Sequence, residues 1–130
     1  MATQTSSQLR PSYQRSFQER RSFEQRRWDF KNVQAKHPDK VPVIIERYAG
    51  ETSLPELNEC RFLVNEDTTL YQLLYMVRMK LQLTPAQTFM FFVNNSALVS
   101  SSTSLRRLQS RHGHEDGFLY LTYASQTTFG

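Results

Sequence analysis

Leu70, Leu73, Leu74, Val77 and Leu81 fall at i, i+3, i+4, i+7 and i+11, which lines one face of a helix with aliphatic side chains. Thr68 or Thr69 can cap the start of that helix, and Thr84-Pro85 lies just past its end. A one-sided helix of this kind needs an apolar sheet to cover it. The flanking sequence supplies one. Before the helix, Val41 to Tyr48 alternates, with Val41, Val43 and Ile45 on one side and Pro42, Ile44 and Glu46 on the other. Pro42 is tolerable near a strand start, and a short strand Arg61-Phe62-Leu63-Val64 follows. After the helix come Phe89 to Val93, an Asn94-Asn95 turn, a short strand Ala97-Leu98-Val99, a short helix opened by Ser104 with Leu105 and Leu108 on one side, and a last strand Phe118 to Tyr123. A right-handed crossover through the long helix lets the first and last strands pair in one mixed sheet. The predicted fold is α+β, a ubiquitin-like β-grasp of four main strands and a central helix, preceded by two N-terminal helices.

The organisation along the chain follows from composition. Residues 1–15 are rich in Ser, Gln and Thr, and a disordered tail is expected there. Residues 16–38 read as helical: Ser22 and Gln25 resemble a capping box, and Phe23, Phe30 and Val33 can share a face that ends before His37-Pro38. Residues 39–124 form the β-grasp domain, and residues 125–130 a flexible arm ending in Gly130. A terminal glycine closes no turn, but it offers a carboxylate with no Cβ beside it, suited to a narrow active site and to acyl transfer.

Charge is uneven. Residues 1–47 hold 10 Lys and Arg against 5 Asp and Glu, whereas residues 48–130 hold 6 against 7. The stripe of Arg10, Arg15, Arg20, Arg21, Arg26 and Arg27 could attract polyanions or simply solvate a helix. Trp28 and Phe30 are expected to dock on the core rather than stack on RNA. The longest apolar run, Phe89 to Val93, is far shorter than the roughly 20 residues of a membrane span, and the polar N-terminus does not read as a signal peptide. The single Cys60 forms no internal disulfide, and a cytoplasmic protein is expected. Cys60 beside Arg61 has the setting of a low-pKa thiol, but no His or Asp stands at a triad spacing. His112, His114, Glu115 and Asp116 lack a second ligand cluster, so neither an enzyme nor a metal site is expected.

Several longer stretches carry a resemblance. Arg20-Arg21-Ser22-Phe23-Glu24-Gln25-Arg26, His37-Pro38 with Val41 to Tyr48, Arg61-Phe62-Leu63-Val64, Asp116 to Tyr120, Tyr123-Ala124-Ser125-Gln126 and Thr128-Phe129-Gly130 resemble the autophagy ubiquitin-like modifiers. That family includes microtubule-associated protein light chain three and the GABA-A-receptor-associated protein. Leu81-Gln82-Leu83 and the Arg-rich helix point to the light-chain-three branch. The similarity runs from about residue 16 to the end.

The resemblance implies a mechanism. A cysteine protease exposes Gly130, activating and conjugating enzymes carry it as thioesters, and it is joined to phosphatidylethanolamine on autophagosomal membranes. Phe129 would be the handle for protease and conjugation enzymes, and no cofactor is implied. The chain would be monomeric before conjugation.

The resemblance also implies a peptide groove at the Arg61–Val64 edge that takes aromatic-x-x-aliphatic motifs of cargo receptors and adaptors. Asp29, Val33, Pro42, Ile44, Arg61, Phe62 and Phe118 would line the aromatic pocket. Phe62, Val64, Leu73, Met76 and Val77 would line the aliphatic one, with Phe62 as the shared wall. Arg20, Arg21 and Lys40 would meet an acidic flank, and Leu63, grouped with this strand, is expected to turn to the opposite face and pack inward. Glu59 and Asn65 depart from the family pattern of Lys and Pro; the first would repel acidic flanks, and the second would loosen the strand's end. The rival reading is a basic module binding microtubules or nucleic acid through the Arg-rich helices. Microtubule binding can coexist with conjugation, whereas nucleic acid is not expected.

Overall fold

The computed structural model describes residues 15–94, 96–98 and 101–125. Four helices and five strands are present among them: α1 (Phe17–Arg20), α2 (Phe23–Lys36), β1 (Lys40–Arg47), β2 (Arg61–Asn65), α3 (Leu70–Leu81), β3 (Phe89–Val93), β4 (Ser96–Leu98), α4 (Leu105–His112) and β5 (Leu119–Ser125). The strand order is β2-β1-β5-β3-β4. β1 and β5 run parallel at the centre, as the crossover requires, and every other pairing is antiparallel. The short β4 adds a fifth strand at the edge away from β2. This is the β-grasp with two helices preceding it.

Local chemistry sets the helix starts. Ser16 with Glu19, Ser22 with Gln25 and Thr69 with Gln72 each form a reciprocal capping box, and the Ser104 hydroxyl accepts from the Arg107 N–H. Gln82 stops α3 in the left-handed region at φ 55°, and Asn94 turns β3 toward β4 at φ 51°.

The sheet separates two unequal layers. Val41, Val43 and Ile45 of β1 face α3 and α4, joining Leu70, Leu73, Val77, Leu105, Leu108 and the inward residues of β3 and β5 in the main core. The other face of β1 carries Ile44, which packs with Phe17 of α1 and Phe118 in a much smaller cluster bordered by Phe30 and Tyr120. α2 therefore docks with little apolar surface. Its buried residue is Arg26, whose guanidinium meets Asp116 at 2.6 Å and reaches the Tyr120 hydroxyl at 3.3 Å. Asp116 is fully buried and also accepts from the Phe118 N–H and the Tyr120 hydroxyl. Gly117 follows at φ 105°, and a Cβ there would fall inside the Phe30 ring.

Two expectations change here. Trp28 is 67% exposed and does not dock on the core, and Phe23 is also exposed. Phe30 does pack, edge-on to Phe118 with centroids 5.6 Å apart. Asn65 does not loosen β2: it pairs with Lys40, its carbonyl accepts from the Thr68 N–H, and the next residue, Glu66, donates its N–H to the Asp39 carbonyl.

Candidate functional site

Among the described residues β2 lies at the sheet edge and is paired only with β1, which leaves one side of its backbone for another strand. The register places Val64 opposite Val41, Leu63 opposite Pro42, Phe62 opposite Val43 and Arg61 opposite Ile44. Alternation then sorts the side chains by face. Phe62 and Val64 belong to the α3 layer with Val41 and Val43, whereas Arg61 and Leu63 belong to the α2 layer with Pro42 and Ile44.

On the α2 side, Ile44, Phe118 and Phe17 form a buried floor. The Arg61 guanidinium stands 4.9 Å from the Phe17 ring centroid. Asp29 on α2 places its Oδ2 2.7 Å from Arg21 and 3.6 Å from Arg61. That oxygen is buried and meets Arg21 off the donor axis, so it has no aligned hydrogen-bond donor. Val33 is half-buried and Pro42 buried at the same level. Leu63 completes this side at 39% exposed, which corrects the expectation that it packs inward. Leu63 does turn away from Phe62 and Val64, but the face it reaches is the open one.

On the α3 side, Phe62 leans on the main core with the Lys80 ammonium 5.9 Å from its ring centroid. Val64, Leu73 and Val77 lie in the core beneath, and Met76 is exposed beside them. Phe62 is thus a wall of the α3-side site alone. The opposite face of the strand gives Leu63, not Phe62, to the aromatic side.

A fold and an edge of this kind have known counterparts. The sequence profile described as "Autophagy protein Atg8 ubiquitin like" matches residues 25–130. The chain belongs to the Atg8 family. It is 47% identical to Protein lgg-2 of Caenorhabditis elegans over 115 residues, 88% of each chain. It is 41% identical to human microtubule-associated protein 1 light chain 3 gamma over 116 residues, 89% of this chain and 79% of that one. These relatives put it on the light-chain-three side of the family. A crystal structure of Trypanosoma brucei ATG8 superposes with a TM-score of 0.81 at 33% identity, covering 89% of this chain and 98% of the other. This is a ubiquitin-like autophagy protein of the Atg8 family.

Within this Atg8-type frame the basic residues are not gathered at one point. Arg20 donates to the Arg15 carbonyl at 3.1 Å and reaches the Cys60 sulfur at 3.5 Å. Arg21 is engaged by Asp29, so Arg20, Arg21 and Arg61 share the Arg61 end of β2. Lys40 pairs with Asn65 at the other end, four residues and about 13 Å along the strand from Arg61. Glu59 is exposed and lines, with Arg15, Glu19, Arg20, Cys60 and Arg61, a cleft of about 700 Å³ at the Arg61 end of β2. The Cys60 thiol is pushed up by burial and then by Glu46, against the pull of Arg20 and Arg61. That removes the low-pKa reading. His114 serves the fold instead: its ring meets Tyr120 edge-on and its Nδ1 accepts the Asp116 N–H at 3.0 Å.

Gly130 and Phe129 lie outside the described residues. The root of the arm is described, and it holds residues that sequence reasoning missed. β5 continues through Ser125, which donates its N–H to Glu51 Oε1 at 2.7 Å. Glu51 is fully buried and also accepts from the Ser53 and Leu54 N–H groups. Its only local signal is its place after Gly50, because its main partner is 74 residues away. Phe17 was also missed; the signal that marks it is Ser16 with Glu19, a capping box that opens a helix at Phe17.

Proposed function

We propose that the chain is a conjugated reader: Gly130 is joined to phosphatidylethanolamine on autophagosomal membranes, and β2 receives aromatic-x-x-aliphatic segments of cargo receptors and adaptors as an added strand. One observation carries the second half. Residues i and i+3 of an extended peptide point to opposite faces about 10 Å apart, and the two candidate pockets lie on opposite faces of the β2 edge, Leu63 with Pro42 on one and Phe62 with Met76 on the other. The buried Asp29 oxygen without an aligned donor suits an indole N–H, which favours Trp in the aromatic position. Arg20 and Arg61 receive an acidic flank.

Backbone amide shifts during titration with an acidic Trp-x-x-Leu peptide test the groove: shifts at residues 60–65 and 73–77, lost when the peptide Trp becomes Ala, are expected. Shifts confined to residues 15–30 would reject it. For the arm, the reading has Phe129 recognised by the processing protease and by the activating and conjugating enzymes. Gly130→Ala should abolish the mass increment of phosphatidylethanolamine in autophagy-active cells; its persistence at normal levels would end that half of the proposal.

The rival polyanion surface is weakened because two of its arginines, Arg21 and Arg26, are already paired with carboxylates, Asp29 and Asp116. Sedimentation with microtubules at low and high salt decides it, since charge-driven binding falls steeply with salt.

A further inference from the structure

Tyr71, Tyr75 and Met79 stand at i, i+4 and i+8 on α3, at 65%, 60% and 60% exposure. At 100° per residue they fall within about 80° of one another and point away from the buried stripe of Leu70, Leu73, Val77 and Leu81. Single exposed apolar side chains need no explanation, but three on successive turns make a continuous crest. We propose that this crest is a membrane-contact face that seats on phospholipid once the chain is anchored; the inference rests on the reading of Gly130 as the anchor.

Three observations favour a lipid surface. The first is composition. Tyr pairs an apolar ring with a polar tip and suits the headgroup boundary. The second is charge, since α3 has no acidic residue to repel anionic headgroups. The third is the position of the anchor. Arg78 donates to the Gln87 carbonyl at 2.6 Å and the Thr84 carbonyl at 2.8 Å, which ties the end of α3 to the segment entering β3. Phe89, two residues on, pairs with Ser125, the last described residue. From Ser125 the five residues to Gly130 span at most about 18 Å. An anchor at Gly130 therefore brings the end of α3 at Met79 close to the bilayer, and the crest runs from there through Tyr75 to Tyr71. The crest is distinct from the peptide groove, because the groove side of α3 is marked by Lys80, whose ammonium meets Phe62 about 100° round the helix from Met79. α2 and Trp28 lie across the sheet and face away.

The test tethers the chain without its enzymes, so its failure is separate from any failure of conjugation at Gly130. Gly130→Cys in a Cys60→Ser background is coupled to a maleimide lipid in phosphatidylcholine–phosphatidylserine vesicles carrying brominated acyl chains. Tyr75→Trp with Trp28→Phe supplies a reporter on the crest, and the tethered chain with Trp28 intact supplies one on the far side. The indole at position 75 is expected to shift to the blue and be quenched only when tethered, with Trp28 unchanged. Adding Tyr71→Glu and Met79→Glu should restore its emission. An unquenched indole at position 75, or equal quenching of Trp28, overturns the proposal. A blue shift that grows with protein concentration in the absence of vesicles would assign the crest to a second copy of the chain, and one induced by a Trp-x-x-Leu peptide would assign it to the groove; either also overturns it.

Discussion

The two faces of β1 are built by different physics. Toward α3 and α4, seventeen buried residues form one apolar core. Toward α1 and α2, three buried residues form a small cluster with Phe30 at its border, and much of the remaining attachment is polar: Arg26 to Asp116, Arg27 to the Glu115 carbonyl, and the Phe17 N–H to Glu46. The first face holds the fold, and the second positions a pair of helices beside an open strand. Apolar burial is non-directional and tolerates adjustment, whereas charge-assisted hydrogen bonds fix orientation. The candidate groove lies along β2, where the two layers meet.

Breaking each layer separately tests that contrast, and the largest effects come first. Leu73→Ala opens a cavity in the main core and should lower global stability by about 2–5 kcal/mol. Arg26→Ala leaves the Asp116 carboxylate buried without its cation, a loss of about 3–5 kcal/mol when fully expressed. The layers predict different outcomes for similar sums. Leu73→Ala should move the urea midpoint of the whole domain, whereas Arg26→Ala should release α1 and α2 locally. Hydrogen exchange would then rise across residues 16–36 while the sheet stays protected. Equal exchange at both faces in Arg26→Ala would show that the layers are one cooperative unit.

Gly117→Ala attacks the same junction from the strand side. The left-handed φ of 105° and the Phe30 ring both oppose a Cβ, so a loss of about 1–3 kcal/mol is expected, again read as exchange in α2. An α2 that remains protected in this variant would mean that Phe30 repacks without cost.

The contrast also explains what the sequence could convey. The stripe of α3 and the alternation of β1 are periodic because each buries one apolar side, and they led to the β-grasp order. α2 carries no comparable stripe; its anchor is an ion pair between residues 90 positions apart, which no local period records. The docking of Phe30 was legible and the exposure of Trp28 was not, since both are aromatic residues on one short helix. For Leu63 the alternation was legible, but its environment depended on which face of β2 is covered, and that is set by pairing with β1. The extension of β5 to Ser125 depends on the distant Glu51 carboxylate.

The assignment of Leu63 and Phe62 to different layers sharpens the comparison at the groove. Leu63→Ala should weaken a Trp-x-x-Leu peptide about tenfold, roughly 1.4 kcal/mol. A double-mutant cycle separates the pockets: Leu63 should couple to the peptide aromatic, and Phe62 to its aliphatic residue. Coupling of Phe62 to both anchors would restore a shared wall and contradict the register.

The smallest expected effect lies beneath α1, where Glu46 Oε2 accepts the Phe17 N–H at 2.8 Å. Burial holds this carboxyl above its ordinary value of 4.5, opposed by the Phe17 bond and by Arg20 and assisted by Glu19. The folded state therefore keeps its proton to a higher pH than the unfolded chain does. Between 4.5 and the raised folded value the native state binds more protons, so this group's contribution to stability falls as pH rises and is constant above that window. Glu46→Gln retains an oxygen that can accept the Phe17 N–H but does not titrate. The parent should lose stability relative to this variant from pH 4.5 upward and converge with it below that value. Urea midpoints measured across the range give the difference directly, which cancels the other carboxylates. A difference independent of pH would mean that Glu46 is solvated in the folded state and that α1 rests on Phe17 packing alone.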